Sequence, residues 1–126
     1  NIKALVLKKN RDYIVQTGFV KVLKSDNPNS IIQAIEKDNR RRAMVVDQEG
    51  KFEGLFIIEK TKRDAKPRLS FIDDPICVEK NNNLQETFSL MIEAGESSLP
   101  VVDTRKRFLG VINLEDIFNE FKAQDR

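Results

Sequence analysis

Short runs of apolar residues alternate along the chain with segments in which apolar residues recur every three or four positions. In the second half, the runs 99–102 and 108–112 lie on either side of a polar turn. Runs this short and unbroken are typical of strands that are covered on both faces. The pattern therefore predicts two strands there, and a shorter strand over 75–78.

Two further segments of the second half have helical spacing. Apolar residues from Leu84 to Ile92 predict a helix that Asn83 caps and that Gly95 ends in a left-handed conformation. After the strands, Asn113 can cap a last helix. Its apolar stripe consists of Leu114, Ile117, Phe118 and Phe121.

The first half shows the same order of elements up to residue 58. Ser30 can cap a helix, and apolar runs predict strands over 43–46 and 52–58. Residues 60–68 are polar and basic and contain a proline, so they predict a linker instead of a second helix.

An internal repeat explains this likeness between the halves. Shifting the sequence by 56 positions superposes Val45-Val46-Asp47 on Val101-Val102-Asp103 without a gap, and it superposes Asn27 on Asn83. Where the residues differ, apolar positions still coincide. Two copies of one supersecondary unit follow, each with the order strand, helix, strand, strand, and the second copy adds a helix.

Composition narrows the classes of function. The chain has 126 residues, 40% of them hydrophobic and 33% charged, which is typical of a folded domain. It has no histidine and one cysteine, which excludes His-based nucleophiles, His and thiolate metal sites and an internal disulfide. No apolar run reaches the roughly 20 residues of a membrane span. We expect a cytoplasmic piece of a larger protein, with Cys77 buried in a strand.

Charge is uneven along the chain, although the net charge is only +2. Residues 1–70 carry 16 Lys and Arg against 9 Asp and Glu, whereas residues 71–126 carry 6 against 11. A basic first repeat that faces an acidic second repeat could attract a phosphate, and the alternative is a solvated, mixed surface. Aromatic residues are few and are not interleaved with the basic ones, so nucleic acid is not an expected partner.

The second repeat resembles the CBS (cystathionine-β-synthase-type) domain. The resemblance lies in Ser98 to Asp103, a short basic turn, and Phe108 to Asp116. The first repeat matches more weakly, through 43–47 and 52–55. The resemblance implies an α/β fold of two βαββα repeats packed as a pseudo-two-fold pair.

Domain boundaries follow from the repeat and the resemblance. The expected parts are a leader 1–14, a first CBS repeat 15–59, a linker 60–70, a second CBS repeat 71–121 and a tail 122–126. The leader contains an apolar run, 4–7, that predicts a strand.

The resemblance also implies a nucleotide site. In the family, the residue that ends the last strand and the residue three places later contact phosphate and ribose, and these positions hold Asn113 and Asp116. An aspartate suits a ribose diol because it accepts two hydrogen bonds. The alternative is structural, since both residues can satisfy backbone N–H groups at a helix start without a ligand.

Ile57 and Lys60 stand at the same two positions of the first repeat, so at most one ordinary nucleotide site is expected. The resemblance places Arg40, Arg41 and Arg42 on the wall of this nucleotide site that lies opposite Asp116. Arginine suits that position because one guanidinium group can bind two phosphate oxygens at once. The alternative for these arginines is a solvated cluster that favours the negative end of a helix.

Apolar residues at matching family positions are candidates for holding the adenine ring, and for each of them the alternative is plain core. The candidates are Ile76, Val78, Leu99, Pro100, Val20 and Val22.

The resemblance implies a regulatory module and not an enzyme. Its ligand would be an adenine-containing nucleotide, such as AMP, ATP or cyclic di-AMP, and no cofactor or metal is expected. The module would form a homodimer and would control an attached transporter or enzyme. The junction between the repeats resembles the CBS tails of ATP-binding subunits of bacterial osmolyte ABC transporters, of the glycine betaine or carnitine type, at the inner face of the membrane. The alternative is a CBS pair without ligand that serves in dimerisation or docking.

Overall fold

A computed structural model of the chain describes residues 7–59 and 66–124. This part has a mixed α/β architecture with two sheets and three α-helices. The chain divides into two compact units. We call Gly18–Pro75 the first-repeat unit, and we call Asn1–Thr17 together with Ile76–Arg126 the second-repeat unit.

The first-repeat unit contains a four-stranded sheet in the order β1-β2-β3-β4. The strands are β1 (Val20–Leu23), β2 (Arg42–Val46), β3 (Phe52–Glu59) and β4 (Arg68–Asp73), and α1 (Pro28–Glu36) connects β1 to β2. β1 and β2 are parallel, and the other neighbours are antiparallel. The buried core between helix and sheet consists of Ile31, Ile35, Ala43, Val45 and Phe56.

The start of α1 differs from the prediction. The side chain of Asn27 accepts hydrogen bonds from the backbone N–H groups of Asn29 and Ser30, at 2.9 and 3.3 Å. Pro28 takes the first helical position, where a missing N–H costs nothing. Ser30 is therefore a first-turn residue, and its assignment as the cap was wrong.

The second-repeat unit contains a three-stranded sheet in the order β5-β6-β7. The strands are β5 (Val78–Glu79), β6 (Ser98–Val102) and β7 (Phe108–Asn113), and the helices are α2 (Leu84–Ala94) and α3 (Leu114–Gln124). Asn83 caps α2 by accepting from the N–H of Glu86 at 2.8 Å, and Gly95 ends it with φ of 69°, which confirms both predicted caps. The core consists of Val78, Leu84, Met91, Leu99, Val101, Ile112 and Ile117.

The strand predicted over 75–78 is shorter than expected, because pairing begins only at Val78. Asp74 has a left-handed φ of 53°, and Pro75 has no N–H to donate, so the chain cannot join the sheet earlier. Ile76 is 43% exposed and Cys77 is exposed. The expectation that Cys77 is buried in a strand was therefore wrong.

Each sheet is extended by the segment that precedes the other repeat. Residues 68–73, which the sequence analysis divided between the linker and the second repeat, form β4 at the edge of β3. In the second-repeat unit, Val15 forms an antiparallel bridge with Val111 at the edge of β7. The strand predicted over 4–7 and most of the linker, 60–65, lie outside the described residues apart from Leu7, which is an exposed turn residue.

Candidate functional site

An open groove of about 420 Å³ runs along the second-repeat unit. One wall is the segment 8–15, which we call the amino-terminal strap, and the other wall is α3. The residues that line the groove are Asp12, Tyr13, Ile14 and Val15 from the strap and Asp116, Asn119 and Glu120 from α3. The volume lies in the range typical of small-molecule sites.

Asp116 occupies the first turn of α3, half-buried, and lines this groove. β7 ends at Asn113 and the helix begins at the next residue, so the turn from strand to helix directs Asp116 toward the strap side. Asn113 itself stands opposite Ser98 in the sheet and is not part of the groove lining. The structure thus brings Asp116, but not Asn113, into the groove. Its position fits both ribose binding and stabilisation of the helix start.

Tyr13 and Glu120 face each other across the groove. Burial, reinforced by a hydrogen bond to the Glu120 carboxylate, raises the pKa of Tyr13 well above its ordinary value. The neutral phenol donates a hydrogen bond to the Glu120 carboxylate. The ammonium group of Lys8 lies 3.8 Å from Glu120 Oε1 on the same side.

The sequence pattern gave Tyr13 no role, because the polar residues of 10–18 predict only a connection. A signal was nevertheless present. Tyr13 is the only tyrosine of the chain, and it opens the run Tyr13-Ile14-Val15 in an otherwise polar segment. An aromatic residue followed by two β-prone residues is more typical of a docked segment than of a solvated connection.

The strap is anchored by Asn10, whose side chain is completely buried. Its Nδ2 donates to the carbonyl oxygen of Glu79 at 2.8 Å, and its Oδ1 accepts from the Thr87 hydroxyl at 2.7 Å. A buried amide that meets both a donor and an acceptor holds its segment in one position.

The arginine cluster belongs to the first-repeat unit. Arg40 and Arg41 are exposed, and Arg42 is half-buried at the start of β2. α1 ends at Glu36, so Arg40 follows the helix by four residues. Because the field of a helix end decays within the last turn, attraction to that end does not explain the cluster. Phosphate contact by these arginines stays a prediction.

The apolar candidates fall into three groups. Val78, Leu99 and Pro100 are buried in the second-repeat unit, and Val78 and Leu99 belong to its core. Val20 and Val22 are half-buried against the core of the first-repeat unit. Ile76 is exposed, so the core alternative was wrong for this residue. Contact between any of them and an adenine ring stays a prediction.

Charge is nearly balanced within each unit. The second-repeat unit contains ten Lys and Arg against ten Asp and Glu, and the first-repeat unit contains twelve against ten. The basic residues 3, 8, 9 and 11 precede the first repeat in the sequence but belong to the second-repeat unit. The expected contrast between a basic and an acidic repeat is therefore not a property of the folded units.

Neither a metal site nor a membrane span emerges from residues 7–59 and 66–124. No three acidic or cysteine side chains gather there in a way that could hold a metal ion. Within the same residues, no helix has the length and apolar character needed to cross a membrane.

Comparison with known proteins identifies the fold. Residues 70–123 match the family model of the CBS domain. Inosine-5'-monophosphate dehydrogenase of Methanocaldococcus jannaschii is 28% identical over 121 residues, which is 90% of this chain and 24% of the dehydrogenase. The chain thus spans about a quarter of the length of this relative.

Three solved structures are similar to more than nine-tenths of the chain. CBSX2 in complex with AMP has a TM-score of 0.74 at 14% identity, with coverage of 94% of this chain and 99% of that one. A CBS domain pair/ACT domain protein from Thermotoga maritima has a TM-score of 0.68 at 23% identity and coverages of 92% and 98%. The cytosolic domain of the Mg²⁺ channel MgtE in complex with ATP has a TM-score of 0.67 at 19% identity and coverages of 94% and 50%.

The fold is that of the class of α/β modules built from paired CBS domains. The match to the CBS-domain model lies over residues 70–123, and the first-repeat unit, Gly18–Pro75, contains the other sheet.

Proposed function

We propose that the chain is a regulatory module that binds an adenosine-type ligand in the groove between strap and α3, with Asp116 as the acceptor for the ribose hydroxyls. The observation that carries this proposal is the position of Asp116. It is a half-buried carboxylate in the lining of a groove whose other wall presents an aromatic ring and two aliphatic side chains. Such a groove offers both the polar and the apolar contacts that a nucleoside requires.

The comparisons support the ligand class. CBSX2 with AMP and the cytosolic domain of MgtE with ATP share this fold. AMP, ATP and cyclic di-AMP are therefore the compounds to test. In the groove, the adenine ring would meet the apolar side chains of the strap wall, Tyr13, Ile14 and Val15.

Substitution of the neighbouring Glu115 can distinguish the two roles of Asp116, ribose binding and stabilisation of the helix start. Glu115 and Asp116 are both acidic residues of the first turn of α3, so both favour the positive end of the helix. Glu115 is exposed and is not part of the groove lining. Replacement of Glu115 by alanine is therefore a matched control for the helix effect alone.

We expect Asp116→Ala to weaken ligand binding by about 10- to 100-fold, because hydrogen bonds to a charged group contribute about 1.5–3 kcal/mol. Glu115→Ala should leave the affinity unchanged, and both variants should lose a similar, small amount of stability. Calorimetric titration with AMP, ATP and cyclic di-AMP measures the affinity, and thermal melting measures the stability. Equal affinity of the two variants for the ligand would show that Asp116 does not contribute to ligand binding.

The attached partner is a transporter or an enzyme in this proposal. MgtE is a channel and the archaeal relative is an enzyme, and each carries such a module as one part of its length. From the sequence resemblance, we favour an ATP-binding subunit of an osmolyte ABC transporter as the parent protein. This chain would be its CBS tail, at the cytoplasmic face of the membrane. Control of any partner requires that the ligand bind one conformation better than another.

An exposed aromatic surface favours a second function, self-association without a ligand. Phe118 of α3 and Ile92 of α2 are 44% and 54% exposed. The Phe118 ring packs edge-on against Phe88 at 5.9 Å, and Phe88 packs against Phe121 at 5.2 Å. We call the three phenylalanines, Phe88, Phe118 and Phe121, the aromatic surface. Large exposed apolar side chains that lie together are typical of interfaces.

A further inference from the structure

The strap is fixed to the second-repeat unit along its whole length. The N–H groups of Asn10 and Arg11 donate to the carbonyl oxygens of Asn82 and Lys80, at 3.0 and 2.9 Å. Further along, Val15 exchanges two hydrogen bonds with Val111, at 2.8 and 2.9 Å. These bonds join segments about 70 to 96 residues apart in the sequence. Detachment of the strap as one piece would break these bonds, but it would leave β5, β6 and β7 paired with one another.

Four of the seven residues that line the groove belong to this strap. When the strap detaches, the groove loses a complete wall, including Tyr13. Asn10 lies outside the groove lining and is buried against Glu79 and Thr87. Its contacts therefore determine the position of the wall without touching anything that occupies the groove.

We propose that Asn10 is a positioning residue that latches the strap through Thr87, and that ligand binding in the groove is coupled to docking of the strap. The coupling rests on the proposed function, whereas the latch does not. A ligand that binds only the docked form stabilises that form by mass action.

Thr87 offers a matched pair of variants, because it is buried on α2 and is not part of the groove lining. Thr87→Val keeps the shape but removes the hydroxyl, which leaves the buried Oδ1 of Asn10 without its donor. Thr87→Ser keeps the hydroxyl and removes only a methyl group. An unsatisfied buried polar atom favours opening by about 5- to 100-fold, so Thr87→Val should detach the strap far more often than Thr87→Ser.

Amide hydrogen exchange measures this opening at single residues. In Thr87→Val, the amides of Asn10, Arg11 and Val15 should exchange about 5- to 100-fold faster, while those of β2 stay unchanged. Thr87→Ser should exchange like the wild type. Val101→Ala, a core change in β6, controls for general loss of stability and should not accelerate the strap selectively. Equal exchange in Thr87→Val and Thr87→Ser would refute the latch.

The coupling is tested on the wild-type protein with the nucleotide that calorimetry shows to bind, among AMP, ATP and cyclic di-AMP. At a concentration of about 100 times Kd, exchange of the strap amides should slow by about 100-fold. Binding without any slowing would overturn the coupling and leave the proposed function intact. Absence of binding by all three would overturn the proposed function and the coupling together, while the comparison of the Thr87 variants still decides the latch.

Discussion

At the scale of single residues, the Val-Val-Asp identity between the repeats has a structural cause. Asp103 Oδ1 accepts from the N–H groups of Arg105 and Arg107, both at 2.9 Å. Asp47 Oδ1 accepts from the N–H groups two and four residues later, both at 2.8 Å. The aspartate therefore closes the turn between the two antiparallel strands in each repeat. The repeated identity marks a folding requirement and not a ligand site.

The ionisation of Asp103 makes one of these turns sensitive to acid. Burial raises the pKa of Asp103, but the Arg107 N–H, the Arg107 guanidinium and the Arg105 N–H together lower it below its ordinary value. The guanidinium Nε lies 2.7 Å from Asp103 Oδ2. Because the pKa is lower in the folded state, the ionised carboxylate stabilises the fold above the ordinary Asp pKa. This stabilisation is lost as the pH falls through the lowered value.

We expect Asp103→Asn to reduce stability at neutral pH. On acidification, the variant should then lose less stability than the wild type. Asparagine keeps an oxygen acceptor for the two N–H groups but has no charge to titrate. Thermal melting at a series of pH values from neutral to acidic measures the effect. Parallel curves for the variant and the wild type would show that Asp103 does not contribute to the acid response.

At the scale of elements, the sequence predicted those parts whose structure depends on local pattern. α2, β6 and β7 agree with their predicted positions, because helical spacing, the Asn83 cap and unbroken apolar runs are local properties. β4 was missed because the predicted boundary between the linker and the second repeat falls inside it, although its partner β3 is the preceding strand. The strap was missed because its pairing partners are distant in the sequence. The cap of α1 was missed although the 56-residue shift superposes Asn27 on Asn83, and both cap helices.

The residues of the candidate site also fall into those that a local motif identifies and those that only long-range contacts place there. Asp116 was predicted, because a family motif identifies it within one continuous segment. Tyr13 and Asn10 were not, because the strap reaches α3 and α2 only through long-range hydrogen bonds. The sequence indicates what each segment can form, but it does not indicate where a polar leader docks.

Two glycines at equivalent positions allow the edge segments to approach. Gly110 of β7 has φ of 145°, and a Cβ there would lie 2.5 Å from the carbonyl oxygen of Val15. Gly54 of β3 has φ of 155°, and a Cβ there would collide with the carbonyl oxygen of Ile72 in β4. Backbone atoms cannot move aside as a flexible side chain can, so both contacts exclude any larger residue.

We expect Gly110→Ala to destabilise the protein by about 1–3 kcal/mol, since overpacking and an unfavourable φ act together. Chemical denaturation measures the loss, and hydrogen exchange at Val15 reports release of the strap. Gly54→Ala is the matched control, because it strains β4 in the other unit and leaves the strap protected. Release of the strap by both variants alike would contradict this separation.

At the scale of the whole molecule, each unit contains a core, a sheet and an edge segment from before the other repeat. Because edge segments are exchanged, the net charges of residues 1–70 and 71–126 differ strongly, whereas each folded unit is nearly neutral. The exchange also explains why a single repeat of this chain, cut at the sequence boundary, would lack part of its own sheet. The pair is therefore the smallest part of this chain expected to fold.

Self-association through the aromatic surface has its own prediction. We expect Phe118→Ser to convert a dimer into a monomer, because a polar group at the centre of the surface weakens apolar contact across a two-fold axis. Sedimentation velocity measures the association state. Leu7→Ser is the control, since Leu7 is 85% exposed but lies outside the aromatic surface. A monomeric wild type would leave this surface without a role in dimerisation.

The proposed occupant of the groove between strap and α3 is an adenosine-type ligand. Titration of the wild-type protein with AMP, ATP and cyclic di-AMP, followed by NMR at the backbone amides, tests this proposal most directly. We expect saturable shifts for at least one compound, concentrated at Tyr13, Ile14, Asp116 and Asn119. Saturable shifts confined to residues outside the groove, or no saturable shift with any of the three, would contradict it.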